Sequence, residues 1–525
     1  MEFNGFTILR GKGGGKMTKK LDIKDHNTLF QAEKYQKQAE GKRVFEAACS
    51  VQEVEDTVEL LKTEEYKEKN FNREAAVINP AKACQPLGAV LAALGFEGTL
   101  PFVHGSQGCV AYFRSHFARH FKEPVPAVSS SMTEDGAVFG GMRNLIEGLE
   151  NSTALYKPKM IAVSTTCMAE VIGDDLSAFI ENARIEGAID QEFPVPFANT
   201  PSFVGSHITG YDSMMRSILA YLSEKNGDLS YKIPSEKVNI ITGFDTYTGN
   251  FSELKRILEL MDVDYTFLGD HSDNLDSPAN GEYNYYYGGT KLDDVAQAHN
   301  ANGTLLLQKY STKKVTKYIN KKWKQDTIAV SSPLGIKNTD QLLKNIKELT
   351  GKDIPQVLKD ERGRVVDALA DSHPYLHGKR VAMTGDPDLL LGLISFCLEV
   401  GIEPVHIVCT NGDKNFAEEA EALLKTSPYG MEGKVHIGKD LWHMRSLLLT
   451  EPVDFAIGGT HMKYCAKDAE IPLVRVGFPI FDRHHMHRYP IIGYQGTLNL
   501  LTLIVNTILQ QLDDEAPAHS FDAVR

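Results

Sequence analysis

Short hydrophobic runs alternate with stretches of helical periodicity along the chain from about Ala75 onward. Each run is bounded by Gly, Ser, Thr or Asp. Strands that alternate with helices of roughly 10 to 15 residues are typical of βαβ units and parallel sheets. We predict helices that begin near residue 169, span about 251–261 and end near residue 400. We predict strands at 160–164, 238–242, 380–384, 404–409, 434–437, 454–457 and 473–476.

The pattern restarts after about residues 235 and 375, which predicts three α/β domains. The expected fold class is α/β, with three Rossmann-like domains whose parallel sheets are flanked by helices, at 73–235, 236–375 and 376–525. Ligands of such sheets gather beyond the carboxyl ends of the strands. Cys167 directly follows the predicted strand 160–164 and is therefore a candidate site residue.

Residues 1–72 are polar and rich in Lys, Glu and Gln, with helical stretches near 27–40 and 51–62. Their apolar content is too low for an independent core. We predict a mostly helical N-terminal extension that packs on a partner subunit or on the main body. Translation could start at Met1 or at Met17.

Composition narrows the possible functions. The 525 residues carry a net charge of −13, whereas general nucleic-acid binders are normally basic. No apolar run reaches the roughly 18 residues of a membrane-spanning helix, and the start lacks the features of a secretory signal. We expect a cytoplasmic protein with neither a nucleic-acid nor a membrane partner.

Seven cysteines in a chain of this length do not form a disulfide scaffold, so reduced thiols are expected. Three of them, Cys84, Cys109 and Cys167, lie in turn-like segments beside Gly, Pro, Ser or Thr. Free backbone N–H groups in such segments can stabilise the sulfurs of an iron-sulfur cluster. Gly105 and Gly108 would let the main chain approach a bulky cluster.

The residues alone leave another interpretation open, because a lone cysteine in an α/β protein is most often a small buried hydrophobe. The spacings of 25 and 58 residues match no compact zinc or ferredoxin pattern. A cubane held by three cysteines would need a fourth ligand from elsewhere in the chain, a substrate or a second subunit. The other cysteines fit the buried interpretation: Cys49, Cys397, Cys409 and Cys465.

The segments around the three cysteines, with PSFVGSH at 201–207 and GFPIFDRHHMHR at 477–488, resemble the β subunits of nitrogenase molybdenum-iron proteins from about residue 72 to the end. The resemblance implies an α2β2 heterotetramer with an 8Fe-7S P-cluster at each α–β interface. It implies that Cys84, Cys109 and Cys167 are half of the cluster ligands, the α subunit supplying the others. It also implies that Ser202 binds a cluster iron through oxygen in the oxidised state, although Ser202 taken alone would be a turn cap.

The resemblance further implies an ATP-dependent nitrogenase, with reduced ferredoxin or flavodoxin as the electron donor. The iron protein would deliver electrons to the P-cluster, which passes them to the iron-molybdenum cofactor in the α subunit, where dinitrogen becomes ammonia. Tyr112 is implied as an electron-relay residue and Phe139 as a contact for the iron protein. No nucleotide site is expected in this chain, because GKGGGK at 11–16 lacks the full phosphate-loop pattern.

A second metal site is implied between two β subunits. Its ligands would be Glu123, Asp367, Asp371 and the backbone carbonyl of Lys122, and its cation would be calcium or iron. Acidic pairs four residues apart are more often simply solvated. We expect no metal at His484, His485 and His487.

Several alternatives stand beside this interpretation. A cofactor-assembly scaffold would usually lack the full set of three cysteines and the serine. The β subunits of vanadium or iron-only nitrogenases tend to lack a long N-terminal extension. A dark-operative chlorophyll-pathway reductase is a more distant resemblance, and a structural α/β protein with buried thiols would hold no iron.

Overall fold

The computed structural model describes residues 26–46, 50–76, 79–225, 229, 232–282 and 284–516. Residues 11–17, with the glycine-rich segment and Met17, and Cys49 lie outside the described residues. The chain forms two compact units, of which the first ends at Leu61 and the second begins at Lys62. The helices of the first unit are α1 (His26–Gln31), α2 (Glu33–Glu46) and α3 (Val51–Leu61).

The second unit begins with α4 (Glu64–Phe71) and then contains a four-stranded parallel sheet in the order β2-β1-β3-β4. Every residue of β1 and β3 is buried, as expected for parallel strands covered by helices on both faces. The elements of this part are α5 (Gln85–Leu94), β1 (Thr99–His104), α6 (Gln107–Phe121), β2 (Val128–Ser129), α7 (Glu134–Phe139), α8 (Met142–Tyr156), β3 (Met160–Thr165), α9 (Cys167–Ile172), α10 (Leu176–Ile185), β4 (Phe197–Ala198) and α11 (His207–Glu224).

A second parallel sheet has the order β6-β5-β7-β8. A π-helical segment, Ile319–Trp323, directly follows one of its helices. The elements are β5 (Val238–Ile241), α12 (Thr248–Leu260), β6 (Tyr265–Phe267), α13 (Ser272–Leu275), α14 (Leu292–Gln297), β7 (Gly303–Leu306), α15 (Lys313–Tyr318), β8 (Thr327–Ala329), α16 (Gly335–Thr350) and α17 (Gln356–Leu376).

The third sheet is parallel and five-stranded, in the doubly wound order β11-β10-β9-β12-β13. The elements are β9 (Arg380–Thr384), α18 (Pro387–Val400), β10 (Glu403–Cys409), α19 (Lys414–Leu424), β11 (Lys434–Ile437), α20 (Leu441–Thr450), β12 (Phe455–Gly458), α21 (Met462–Asp468), β13 (Leu473–Arg475) and α22 (Gly493–Glu515).

The predicted α/β class with three parallel sheets is confirmed, and each sheet lies within one predicted domain range. Contacts also cross the predicted boundaries, as two hydrogen bonds show. Helix α4 lies within the predicted extension but packs on α20, where Asn70 donates to the carbonyl oxygen of Trp442 at 3.0 Å. Helix α22 contacts the second sheet's helices, because the Tyr494 hydroxyl donates to Asp340 on α16 at 2.6 Å. The exact domain boundaries therefore stay a prediction.

Most predicted elements match the structure closely. The strands at 380–384 and 434–437 have the predicted bounds, and the strand predicted at 454–457 begins one residue later. Helix α9 begins at Cys167 instead of near 169, since Thr166 has the extended conformation of an N-cap residue. The single helix expected at 27–40 is two helices, α1 and α2.

No helix among the described residues is both long enough and apolar enough to cross a membrane.

Helices α5 and α11 cross with their backbones in direct contact, and glycines make this possible. A Cβ atom on Gly88 would overlap the carbonyl oxygen of His207, and one on Gly210 would overlap that of Gln85. Interiors packed this closely cannot absorb an added methyl group without moving the backbone. The crossing fixes the N-terminus of α5 against that of α11.

We expect Gly88→Ala to push the two helices apart and to lower the free energy of unfolding by about 3 kcal/mol, the upper end of the cost of overpacking. Thermal unfolding followed by circular dichroism measures the change. Gly363→Ala on α17 is the matched control, because a Cβ there meets no atom within 4 Å. A helix-interior alanine should stabilise that site by about 0.5 to 1 kcal/mol. Equal stability of the Gly88 variant and the wild type would contradict the predicted clash.

Candidate metal centre

The three candidate cysteines all lie at the N-terminus of a helix. Cys84 is the N-cap residue of α5, Cys109 is the third residue of α6, and Cys167 is the first residue of α9. Free N–H groups and the positive end of the helix dipole both favour a thiolate over a thiol. These helix starts are thus suited to hold negatively charged sulfur.

The sheet brings these helix starts together. Cys109 follows β1 and Cys167 follows β3, and the last residues of these strands, His104 and Thr165, are neighbours in register. Ser202 follows β4, which pairs with β3 on its other side. The strand order reverses between β1 and β3, and this switch point is where open α/β sheets bind ligands.

The three sulfurs interact with one another electrostatically. Burial, together with the charges of Cys167 and Cys84, raises the pKa of Cys109 to about 11. Burial also raises the pKa of Cys84, and the charge of Cys167 acts in the same direction. Interactions with the backbone of Leu87 and the side chain of Ser202 lower this pKa. Three thiolates close together need a cationic partner, and bound metal supplies one.

Gln85, which sequence analysis missed, holds the Ser202 turn against the Cys84 segment. Its side-chain amide donates to the carbonyl oxygens of Pro201 at 2.9 Å and Val204 at 3.0 Å. The side chain is almost fully buried, so these hydrogen bonds are protected from water. Ser202 is itself 8% exposed and lies beside Cys84.

His207 was also missed as a site residue. The Nδ1 atom of its imidazole accepts a hydrogen bond from the backbone N–H of Ala83 at 3.2 Å. The backbone N–H of His207 donates to the carbonyl oxygen of Ala83 at 2.9 Å. Its Nε2 lies 2.9 Å from a carboxylate oxygen of Asp386, next to the third sheet. His207 and the Asn411 amide hold the pKa of Asp386 below its usual value although burial opposes them. The Cys84 segment is thus tied to two parts of the fold.

The two glycines near Cys109, Gly105 and Gly108, differ in the space around them. Gly105 has φ of +141°, and a Cβ there would overlap Thr166 Oγ1, so neighbouring protein already requires this glycine. A Cβ on Gly108 would lie 3.6 Å from Ser106 Oγ, its nearest neighbour. Ser106 caps α6 by accepting the N–H of Gly108 at 3.3 Å.

One side of the site is open to solvent. Cys167 is exposed, although Cys84 and Cys109 are partly buried. Several large apolar side chains near these residues in sequence are also exposed: Tyr112, Val171, Phe203 and Val204. The Tyr112 hydroxyl lies 3.2 Å from His116 Nε2. Burial and the charge of Cys84 raise the pKa of Tyr112, which is therefore a neutral phenol at physiological pH.

Phe139 is 86% exposed at the end of α7, and its neighbour Val138 is 73% exposed. An exposed aromatic of this size is a typical anchor in a protein–protein interface. Phe139 is thus accessible to a partner, and its docking role stays a prediction.

The four proposed cation ligands do not form one site within the chain. Glu123 lies 3.5 Å from Arg488, whereas Asp367 and Asp371 are exposed on α17. Lys122 ends α6 in the left-handed conformation, with φ of 63°. In the part of the chain that the structure describes, no three or more His, Cys, Asp or Glu side chains are spaced to hold a single metal ion.

The remaining described thiols are buried, and the histidine segment packs on aromatic rings. Cys397, Cys409 and Cys465 are buried, as predicted for cysteines that act as small hydrophobes. His487 packs on the rings of His120 and Phe121.

Comparison with known proteins gives two family matches. The model for nitrogenase component 1 type oxidoreductases matches residues 84–509, and one for a domain of unknown function, DUF3364, matches residues 17–70. A nitrogenase molybdenum-iron protein beta chain of Frankia alni is 59% identical over 96% of both chains. The protein of the same name from Azotobacter vinelandii is 50% identical over 97% of this chain and 100% of its own.

A solved structure, "Nitrogenase Cp1 at pH 6.5", superposes with a TM-score of 0.82 at 40% identity, over 86% of this chain and 98% of its own. A second, "Nitrogenase Cp1 at pH 5", has a TM-score of 0.63 at 17% identity and supports the fold alone.

We expect iodoacetamide to modify Cys109 of the metal-free protein slowly at pH 8, because only the thiolate reacts and the pKa of Cys109 is about 11. The rate should rise with pH toward that value. Mass spectrometry of alkylated peptides at a series of pH values measures it, with the exposed Cys167 as internal reference. A Cys109 rate that levels off below pH 9 would contradict the raised pKa.

Proposed function

The chain belongs to the nitrogenase component 1 type oxidoreductases, and we propose that it is the β subunit of a molybdenum-iron nitrogenase component. In this role it holds half of a P-cluster at the interface with an α subunit, in an α2β2 assembly. The iron protein delivers electrons to this interface for the reduction of dinitrogen to ammonia in the α subunit. The names of the relatives favour this function over a cofactor-assembly scaffold or a vanadium or iron-only enzyme.

The observation that carries the proposal is the convergence of Cys84, Cys109, Cys167 and Ser202 at the carboxyl ends of neighbouring strands. A structural thiol would be covered by the chain's own side chains, as Cys397 and Cys465 are. Cys167 is exposed instead, beside exposed apolar residues. A second subunit that supplies further thiolates would complete the site and cover this surface.

The donor set fits an iron-sulfur cluster. Thiolates are the ligands such clusters prefer, and hydrogen bonds from backbone N–H groups tune the reduction potential. Since these thiols are not spaced for a single ion, a larger shared cluster suits them better. When bound, the P-cluster would supply one-electron transfer between the iron protein and the iron-molybdenum cofactor.

Ser202 lies next to Cys84 on a turn that Gln85 holds in place. An alkoxide is a harder ligand than a thiolate and prefers the more oxidised metal, and its formation releases a proton. In our proposal the Ser202 oxygen therefore binds when the site is oxidised. Tyr112, a neutral phenol on the open side, would lie on the electron path toward the partner subunit.

The cation proposal requires two copies of the chain. Glu123 and the Lys122 carbonyl lie at the end of α6, and the exposed pair Asp367 and Asp371 shares one face of α17. Since the two sets form no single-ion site within one chain, one copy would supply the first set and the second copy the other. Oxygen ligands of this kind suit calcium, and iron can also bind them.

The N-terminal extension supports a partner role as well. Helix α3 exposes Val51, Val54 and Val58, which fall on one helical face. An apolar face on a surface helix is typical of a segment that packs on another subunit, and we propose the α subunit as that partner.

We expect Cys109→Ala to abolish the cluster, because a missing thiolate leaves an iron without its ligand. Metal analysis and EPR of the complex co-purified with the α subunit measure the loss, and acetylene reduction with added iron protein should fall with it. Cys465→Ala, which removes a buried thiol elsewhere, is the matched control and should keep the cluster. A cluster like the wild type's in the Cys109 variant would contradict the ligand assignment. A metal-replete complex without acetylene reduction would favour the scaffold alternative.

We expect Phe139→Ala to raise the apparent KM for the iron protein about tenfold or more, as loss of an aromatic anchor does. The cluster EPR spectrum should not change, since Phe139 lies outside the cysteine segments. Acetylene reduction at a series of iron-protein concentrations measures the KM. Leu155→Ala, at a residue 73% exposed on α8, is the control for removing an exposed apolar side chain. An unchanged KM in the Phe139 variant would argue against docking at this residue.

A further inference from the structure

A chain of hydrogen bonds joins the exposed Phe139 segment to the strand ends that carry the cysteines. Its centre is His104, the last residue of β1, whose side chain is fully buried. Its Nε2 lies 2.9 Å from Asp174 Oδ2, and its Nδ1 lies 3.0 Å from Ser130 Oγ. None of these three residues binds the cluster in the function proposed above.

The direction of these hydrogen bonds follows from the chemistry of the partners. Burial lowers the pKa of His104 although Asp174 opposes it, so the imidazole is neutral at physiological pH. A carboxylate can only accept, so Nε2 carries the proton and donates to Asp174. Nδ1 then accepts from the Ser130 hydroxyl, whose oxygen in turn accepts the N–H of Gly105 at 2.9 Å.

Asp174 also holds the residues behind Phe139. Its two carboxylate oxygens accept the N–H of Gly141, at 3.1 Å and 3.2 Å. Gly140 has φ of +92° between α7 and Gly141, the N-cap residue of α8. A Cβ on Gly141 would lie 2.6 Å from Asp174 Oδ2, so the backbone is in close contact with the carboxylate.

The backbones of Asp174 and His104 are tied to two cysteine segments. The N–H of Asp174 donates to the carbonyl oxygen of Ala169 at 3.1 Å, which closes the end of α9, the helix that Cys167 begins. The carbonyl oxygen of His104 accepts the N–H of Thr166 at 2.9 Å. His104 therefore contacts the residue before Cys167 and also begins the turn that leads to Cys109.

We propose that Asp174 is a positioning residue that couples docking of the iron protein at Phe139 to the segments that carry Cys109 and Cys167. A displacement of the Gly140–Gly141 backbone on docking would change the hydrogen bonds of Asp174 and, through His104, the starts of α6 and α9. The coupling rests on the proposed function. Such coupling requires the Phe139 segment and the cysteine segments to be joined by contacts that change together on docking. The hydrogen bonds of Asp174 and His104 join these segments.

Asp174→Asn in the purified α2β2 complex tests the coupling. The amide has the same shape but no charge, and it places an NH2 donor where the carboxylate has its second oxygen. That donor must face the N–H of either Gly141 or the imidazole, both of which the carboxylate accepts, so one of these contacts becomes repulsive. Electron transfer from the docked iron protein, followed by stopped-flow absorbance, should slow about tenfold, a typical size for coupling between sites. Iron content, the cluster EPR spectrum, the affinity for the iron protein and the rate of cluster reduction by a small chemical reductant should stay within about twofold of wild type.

Asp212→Asn is the matched control. Asp212 is a buried carboxylate on α11 that likewise accepts backbone N–H groups, from Lys314 at 2.7 Å and Val315 at 2.9 Å. It holds α15 and has no hydrogen bond to the Phe139 segment, so its variant should transfer electrons at the wild-type rate.

Two results with the Asp174 variant would overturn the proposal. One is an Asp174 variant that transfers electrons as fast as the wild type. The other is equal slowing with the small reductant, which would show a structural role at the cluster itself.

If the Asp174 variant loses its cluster, hydrogen exchange in the wild-type complex tests the coupling instead. Adding the iron protein should slow exchange at 104–109 and 167–174 as well as at 134–142, and protection confined to 134–142 would overturn the coupling. Failure of the proposed function would be distinguishable, because the wild-type complex would then either give no cluster signal or contain metal without reducing acetylene.

Discussion

The rest of the site depends on one constraint, which is that three thiol groups lie close together at one edge of a sheet and two of them are partly buried. Burial raises the pKa of Cys84 and Cys109, and nearby thiolates raise it further. The fold opposes this cost by starting a helix at or near each cysteine, so that the positive end of a helix dipole lies nearby. The glycine contact between α5 and α11 and the hydrogen bonds of Gln85 keep those helix starts in place.

The same constraint explains why the site lies on an open surface. A chain that enclosed three thiolates by itself would have to supply every compensating charge and donor. This chain leaves Cys167 and a group of apolar residues exposed. Such exposure is typical of a surface that a second subunit covers on assembly. Phe139 lies exposed at the end of a short helix, and Asp174 connects the backbone behind it to the cysteine-bearing strand ends.

Sequence patterns predicted the third sheet best, because β9, β10 and β11 contain short apolar segments and each strand lies between two glycines. Strand β1 was missed, since TLPFVH contains a proline and lacks such a run, and two-residue strands such as β4 show no periodicity. The cysteines were assigned by resemblance, as their spacing alone indicated no site. Gln85, His104 and Asp174 could not be found from the sequence, because their roles come from partners that are distant along the chain. Gly105 was expected to make room for a cluster, but Thr166 already occupies that space.

The bond between His207 and Asp386 has a consequence for the order of events during synthesis. The segment that holds Cys84 contacts His207, and His207 is oriented by Asp386, which leaves the ribosome much later than Cys84, Cys109 and Cys167. The cysteine pocket therefore reaches its final shape only after the third sheet has folded. In the proposed function, metal loading would accordingly follow translation of most of the polypeptide, because a truncated nascent chain lacks Asp386 and the contact that orients His207.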